Sequence, residues 1–113
     1  MRPTPDYSPI YFGPMPTGSD RYAIAPRGWA RSFVYLLMGE CDRIIYVGMS
    51  RNPGSRFATH ASREWWQDVT HLLLLQVDEA DRFRASRAAK SVETRMIHDF
   101  MPEANISEVT ARG

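Results

Sequence analysis

Four side chains of types suited to phosphate chemistry lie in the middle of the chain. Tyr35 and Tyr46 lie eleven positions apart, each within a β-prone run. Arg56 and His60 are four positions apart, the spacing at which two side chains share one face of a helix. A guanidinium makes planar, bidentate contacts to phosphate. Tyrosine and arginine together could act on a phosphate or a carbonyl substrate.

A carboxylate joins this set from a more distant segment. Glu93 has Ala89 four positions before it and Met96 three after it, which places it on a mostly apolar helix face. An unpaired carboxylate facing a core is costly, so the position indicates a special role. Metal binding is the favoured interpretation, and a structural salt bridge to Lys90 or Arg56 is the alternative.

The two tyrosines belong to a predicted β-hairpin. The runs 33–37 and 43–47 are β-prone, and turn-forming residues connect them. Two strands of one hairpin can hold Tyr35 and Tyr46 side by side. Gly48 follows the second run, where the backbone needs a sharp bend or a close approach.

Three further elements complete the predicted domain. Asn52 and Pro53 form a helix-start signal, and the short helix is expected to end near Ser62. The apolar stretch 68–77 predicts a buried strand. Asp78 is expected to cap a long helix that runs to about Phe100. The prediction is an α+β fold in the order ββαβα, with a small three-stranded antiparallel sheet flanked by helices.

Composition divides the chain into three parts. Residues 1–31 contain six prolines and are predicted to form a proline-rich N-terminal arm that packs on the domain or on a partner. Residues 32–107 form the predicted domain, and residues 108–113 form a C-terminal tail. With 113 residues, one compact domain is expected.

Charge and apolar runs narrow the functional classes. The formal net charge is only +1, so affinity for a polyanion must come from local patches. The 14 basic residues are all arginine except Lys90. The longest apolar run is far too short to cross a bilayer, and no signal-peptide core is recognisable. Together with the single cysteine, Cys41, this predicts a cytoplasmic protein without a membrane partner.

The ordered set of residues resembles the GIY-YIG nuclease family, most closely its short stand-alone bacterial and phage members. Phe33-Val34-Tyr35 and Tyr46-Val47-Gly48 stand where the family has its two triplets. Later motifs follow in the family's order, namely Ser50-X5-Arg56-X3-His60, Glu93-X3-Ile97 and Pro102-X2-Asn105. The resemblance covers about residues 33–106. Phe33 replaces the glycine of the first triplet, which is not a catalytic group.

The resemblance implies a metal-dependent endonuclease, a hydrolase of phosphodiester bonds in DNA. One divalent cation, Mg²⁺ or Mn²⁺, would be bound by Glu93 and otherwise by water and phosphate oxygens. Tyr35 or Tyr46 would orient or deprotonate the attacking water, the family assigning the base role to the first tyrosine. Arg56 would stabilise the negative charge of the transition state.

The same resemblance implies supporting roles for two further residues. His60 would hydrogen-bond to the tyrosine or the phosphate, and Asn105 would hold the site or contact the nucleic-acid backbone. Five arginines could form a rim that tracks phosphates around the site, or they could be a plain solvated surface, namely Arg51, Arg63, Arg82, Arg84 and Arg87. Trp65 and Trp66 could stack on bases or cover the core.

Other functions stay open on the sequence alone. Taken singly, each tyrosine is more simply a packing residue. A non-catalytic nucleic-acid-binding or protein-interaction module on the same fold is the main alternative, and an enzyme acting on a mononucleotide is another. With no attached module, selectivity would come from the arm, a homodimer or a partner protein.

Overall fold

A computed structural model describes residues 7–24, 31–79 and 81–105. Four strands and three α-helices follow one another along the chain. They are β1 (Tyr7–Pro14), α1 (Asp20–Ala23), β2 (Arg31–Met38), β3 (Ile44–Ser50), α2 (Pro53–His60), β4 (His71–Asp78) and α3 (Arg82–Phe100). A 3₁₀ turn, Glu64–Asp68, lies between α2 and β4. Among the described residues, no helix is long and apolar enough to cross a membrane.

The sheet has four antiparallel strands in the order β1-β4-β2-β3. The prediction of an α+β fold with an antiparallel sheet is confirmed, but the prediction of three strands is wrong. The element order is βαββαβα instead of ββαβα. The additional strand and helix come from residues 7–24, within the segment predicted as an arm. The predicted tail, residues 108–113, lies outside the described residues.

The alternation of β2 divides the core between the two sheet faces. Successive side chains of a strand point to opposite faces. Val34 and Leu36 pack with Ala89 and Val92 of α3 on one face. The other face carries the odd-numbered positions of β2, packed with α2 and the 3₁₀ turn, and its buried members include Phe33, Tyr35, Leu37 and Phe57. Phe33, which departs from the family pattern, is a buried core residue.

Strand β1 extends the sheet beyond β4. Its backbone pairs with β4 from Tyr7 opposite Val77 to Pro14 opposite His71, with a register irregularity between Pro9 and Tyr11. Most of its side chains are exposed, and Tyr11 packs against the face that carries the tyrosines. β4 is therefore an interior strand, as its apolar sequence indicates.

The start of α3 differs from the prediction. The N-cap is Asp81, whose side chain accepts a hydrogen bond from the Arg84 backbone N–H at 2.9 Å. Asp78, the predicted cap, is the last residue of β4 and forms an ion pair with Arg31. The predicted end is confirmed, because the helix stops at Phe100 and Met101 takes a left-handed conformation.

The start of α2 is confirmed. Asn52 is the N-cap and its side chain accepts from the Ser55 backbone N–H. Gly54 allows α1 to approach, since a Cβ there would lie 2.7 Å from the Arg21 carbonyl oxygen and 3.0 Å from the Tyr22 Cα. The N-terminal segment is thus fitted against the helix that carries Arg56 and His60.

Candidate functional site

Register in the β2–β3 hairpin places the two tyrosines diagonally rather than opposite each other. Tyr35 pairs with Gly48 and Leu37 pairs with Tyr46. The Tyr35 and Tyr46 ring centroids are 6.2 Å apart and the rings are nearly parallel. Gly48 makes this arrangement feasible, because a Cβ there would lie 2.4 Å from both the Cζ and the hydroxyl oxygen of Tyr35. The close approach expected at Gly48 is confirmed.

The Tyr35 hydroxyl is held by side chains from α2. Its oxygen lies 2.8 Å from Nε2 of His60, and the Phe57 ring meets the Tyr35 ring edge-on at 5.1 Å. The Arg56 guanidinium lies close enough to both tyrosines for each to affect its pKa, and Tyr35 has the larger effect. The spacing of Arg56 and His60 therefore brings both to one face of α2, as predicted, and that face looks onto the hairpin.

Burial shifts the pKa values of both Tyr35 and His60. Desolvation raises the pKa of the Tyr35 hydroxyl well above its ordinary range, and Tyr46 adds to the rise, while Arg56 opposes it. Burial also lowers the pKa of His60 to about 4, helped by the positive charges of Arg56 and Arg63. At neutral pH the pair is an uncharged tyrosine beside an uncharged histidine. The hydrogen bond to Tyr35 raises the pKa of Arg56, which stays charged.

Glu93 reaches the same neighbourhood from α3. Its side chain is only 11% exposed, and its charge contributes to the raised pKa of Tyr35. Its Oε1 accepts a hydrogen bond from Nζ of Lys90 at 2.9 Å. Of the two alternatives for this carboxylate, the salt bridge to Lys90 is present. In residues 7–24, 31–79 and 81–105, no three His, Cys, Asp or Glu side chains form a metal-binding group.

Asn105 fastens the strand that carries Tyr46. Its Oδ1 accepts from the Val47 N–H at 2.8 Å, and its Nδ2 donates to the Val47 carbonyl oxygen at 2.9 Å. β3 is the edge strand, so the amide completes backbone hydrogen bonds that an edge would leave open. Both ends of the Asn105 amide are engaged, which fits the role of holding the site better than contact with nucleic acid.

The remaining predicted residues lie around these groups. Arg51 and Arg63 are exposed, and Arg63 is close enough to His60 to lower its pKa. Trp65 stacks on Tyr46 with ring centroids 5.1 Å apart and planes 8° apart, and it lies 5.3 Å from His60. Trp65 and Trp66 are both half-buried, as expected for a cover over the core.

Two contacts were not predicted. Phe57 packs on Tyr35, and the position three residues before His60 on an amphipathic helix was the available signal. Arg21 lies over the Trp66 ring at 5.7 Å, with its Nε buried and, within the described part of the chain, without a hydrogen-bond partner. Nothing local indicates that contact, because it joins two segments distant in sequence.

Comparison with known proteins adds no relative: no protein-family model matches the chain, and no curated sequence is significantly similar to it.

Proposed function

We propose that this chain is a metal-dependent endonuclease that hydrolyses phosphodiester bonds in DNA, with a site formed by Tyr35, Tyr46, Arg56, His60 and Glu93. One observation carries the proposal. A buried tyrosine hydroxyl meets a neutral imidazole at 2.8 Å and a charged guanidinium, and a nearly buried carboxylate is close enough to act on it electrostatically. Ordinary packing of an aromatic residue requires none of these three partners.

The tyrosine and histidine form the proton-handling part of the proposed site. The neutral imidazole of His60 lies 2.8 Å from the Tyr35 hydroxyl oxygen through its Nε2. In the tautomer that carries its proton on Nδ1, Nε2 accepts the Tyr35 proton. In this arrangement the Tyr35 oxygen orients the attacking water, and His60 can accept the tyrosine proton as negative charge develops.

Arg56 serves the phosphate in this proposal. It is exposed although it contacts buried tyrosines, so a phosphodiester can approach its guanidinium from solvent. A fixed positive charge there stabilises the transition state. Arg51 and Arg63 add exposed positive charge for the flanking phosphates. Cutting both strands would use a homodimer or a partner protein, since the chain supplies one such site.

Glu93 fits the cation that the proposal requires. Carboxylate oxygens are among the ligands preferred by Mg²⁺ and Mn²⁺. One oxygen of Glu93 already has a cationic group beside it, the Lys90 ammonium. When bound, the divalent cation would supply positive charge to the phosphate oxygens. Glu93 contributes by holding that charge at the tyrosine end of the site.

A non-catalytic binding module on the same fold is the second candidate. The observation in its favour is the Lys90–Glu93 ion pair, which gives the carboxylate a partner without any metal. On this alternative, the basic residues around the site would bind nucleic acid, and neither the tyrosine hydroxyl nor the carboxylate would be needed for that binding.

Nicking of supercoiled plasmid and cleavage of labelled branched and single-stranded DNA test the choice. The reactions contain Mg²⁺, Mn²⁺ or EDTA and use wild type, Glu93→Gln, Tyr35→Phe and Arg56→Ala. Glu64→Gln, in an exposed carboxylate on the 3₁₀ turn, is the matched control.

The nuclease proposal predicts cleavage by wild type and Glu64→Gln, and a loss of at least about 100-fold in the three site variants and in EDTA. Folded proteins that bind DNA equally but never cut it would support the binding module instead. Labelled RNA in parallel reactions decides between the two nucleic acids.

A further inference from the structure

Lys90 is the only lysine in a chain with 14 basic residues, and it contacts the one carboxylate of the candidate site. Its Nζ lies 2.9 Å from Oε1 of Glu93. The two side chains differ sharply in exposure, at 68% for Lys90 and 11% for Glu93. An exposed ammonium therefore neutralises a carboxylate that is itself almost out of contact with water.

Charge balance explains why a cation is needed at this place. A carboxylate removed from water is costly unless it is paired. Arg56 interacts with Tyr35 and Tyr46, and within the described residues the salt bridge to Glu93 comes from Lys90. The Lys90 ammonium thus occupies a cation position on the Glu93 carboxylate.

The choice of lysine matters for how firmly that position is held. An ammonium is one compact charge on a flexible stem, and here it contacts a single oxygen of the carboxylate. A guanidinium in the same place could engage both oxygens at once. Lys90 can therefore withdraw into solvent at small cost, whereas an arginine would resist displacement.

We propose that Lys90 is a resident competitor for the divalent cation: its ammonium occupies Glu93 in the free protein, and metal binding displaces it. This inference rests on the proposed function, since it assumes that Glu93 is the metal ligand. Lys90 then sets the concentration of Mg²⁺ or Mn²⁺ at which the site fills. It acts through Glu93 and is a regulating, not a catalytic, residue.

Direct measurement of Mn²⁺ binding by electron paramagnetic resonance tests the competition without using activity. Wild type is compared with Lys90→Met, Lys90→Arg and Glu93→Gln. Arg95→Met is the matched control, because it removes one positive charge from the same helix, where Arg95 is paired with Asp99 and not with Glu93.

The competition predicts a definite order of affinities. Lys90→Met should bind Mn²⁺ about three- to tenfold more tightly than wild type, since a nearby unit charge no longer opposes the cation. Lys90→Arg should bind no more tightly than wild type. Arg95→Met should stay within about twofold of wild type, because its charge acts only through screened solvent.

The single lysine also permits a direct view of the displacement. Selective ¹³C labelling of lysine gives one Cε resonance in the nuclear magnetic resonance spectrum. Titration with Mg²⁺ should move that resonance toward its position in Glu93→Gln, where the ammonium has lost its partner. The resonance in Glu93→Gln itself should not respond.

Failure of this inference can be told apart from failure of the proposed function. Equal Mn²⁺ affinity of wild type and Lys90→Met, with cleavage of DNA intact and dependent on Glu93, would overturn the competition and leave the nuclease standing. Mn²⁺ binding unchanged in Glu93→Gln, together with no cleavage, would overturn both.

Discussion

The Tyr35 hydroxyl is the residue-scale feature from which most of the site's properties follow. It is buried, hydrogen-bonded to His60 and packed so closely against Gly48 that a Cβ at that position would not fit. The ring cannot shift freely, because Phe57 contacts it edge-on. Small changes at these neighbours therefore become changes in the position or the protonation of one oxygen atom.

Gly48→Ala is expected to destabilise the folded protein through a steric clash with Tyr35. The added methyl would lie 2.4 Å from the Tyr35 hydroxyl oxygen, inside van der Waals contact, and the buried ring has nowhere to move. We expect a loss of about 1–3 kcal/mol in the free energy of unfolding, typical of overpacking. Urea denaturation measures the loss.

Gly13→Ala is the control for that substitution. Its methyl would approach the Tyr11 hydroxyl only to 3.3 Å, and Tyr11 belongs to a mostly exposed strand. A change within about 0.5 kcal/mol is expected there. If Gly48→Ala proved equally mild, the tight packing around Tyr35 would be wrong.

His60 gives the stability of the protein a dependence on pH. Its pKa is about 4 in the folded protein and about 6.5 in an unfolded chain. The unfolded state therefore binds the additional proton first, and stability falls as the pH drops from about 6.5 toward about 4. The loss should be on the order of 2 kcal/mol.

Denaturation of wild type and His60→Gln between pH 7.5 and pH 4 isolates this effect. Glutamine keeps a hydrogen-bonding group near Tyr35 but does not titrate. His71 and His98 are exposed and remain in both proteins. Parallel pH profiles for the two proteins would show that His60 is not the buried neutral base described here.

Spacing in the sequence predicted two of the juxtapositions at the site, Tyr35 with Tyr46 and Arg56 with His60, because each pair lies within one hairpin or one helix. The four-residue interval of Arg56 and His60 fixes a shared helix face wherever the helix lies. The stacking of Trp65 on Tyr46 was not predictable in this way. It depends on how the 3₁₀ turn folds back over the sheet, and that is a tertiary contact.

At the scale of elements, helix boundaries show where local signals compete. Asp78 and Asp81 are both acidic residues ahead of an amphipathic segment, and the sequence does not separate them. The sheet decides, since Asp78 pairs with Arg31 across the β2–β4 ladder and so belongs to the strand. Asp81 is then the first residue free to cap α3.

Alanine substitutions at these two positions test the boundary. Asp81→Ala removes the acceptor for the Arg84 N–H and should cost about 1 kcal/mol in the free energy of unfolding. Asp78→Ala removes a largely exposed ion pair and should cost no more than about 0.5 kcal/mol. Thermal or urea denaturation compares the stabilities of the two variants. A larger loss of stability for Asp78→Ala than for Asp81→Ala would mean that Asp78 caps α3.

At the scale of the whole molecule, the N-terminal strand changes which edges the sheet exposes. β1 covers one edge of β4, whose sequence is strongly apolar, and leaves its own mostly exposed side chains outside. The strand was not predicted because Pro9, Gly13 and Pro14 disfavour a strand and because its pairing partner, β4, is distant in the sequence. Only the tertiary pairing reveals it.

Removal of residues 1–14 is therefore expected to do more than shorten the chain. β4 would become an edge strand with unpaired backbone groups and apolar side chains, a template for association between molecules. A lower unfolding midpoint and concentration-dependent aggregation in sedimentation experiments are expected. Removal of residues 1–6 keeps all of β1 and is the control. Equal behaviour of the two truncations would mean that β1 contributes little.

The two hydrogen bonds between the Asn105 amide and the Val47 backbone affect the order in which the site can form during synthesis. The two residues are 58 positions apart, and the two hydrogen bonds fix the backbone next to Tyr46. Synthesis runs from the N-terminus, so the hairpin with both tyrosines is made before Asn105. The backbone of β3 next to Tyr46 gains these two hydrogen bonds only after Asn105 has been made and the helical turn that carries it, residues 103–105, has folded.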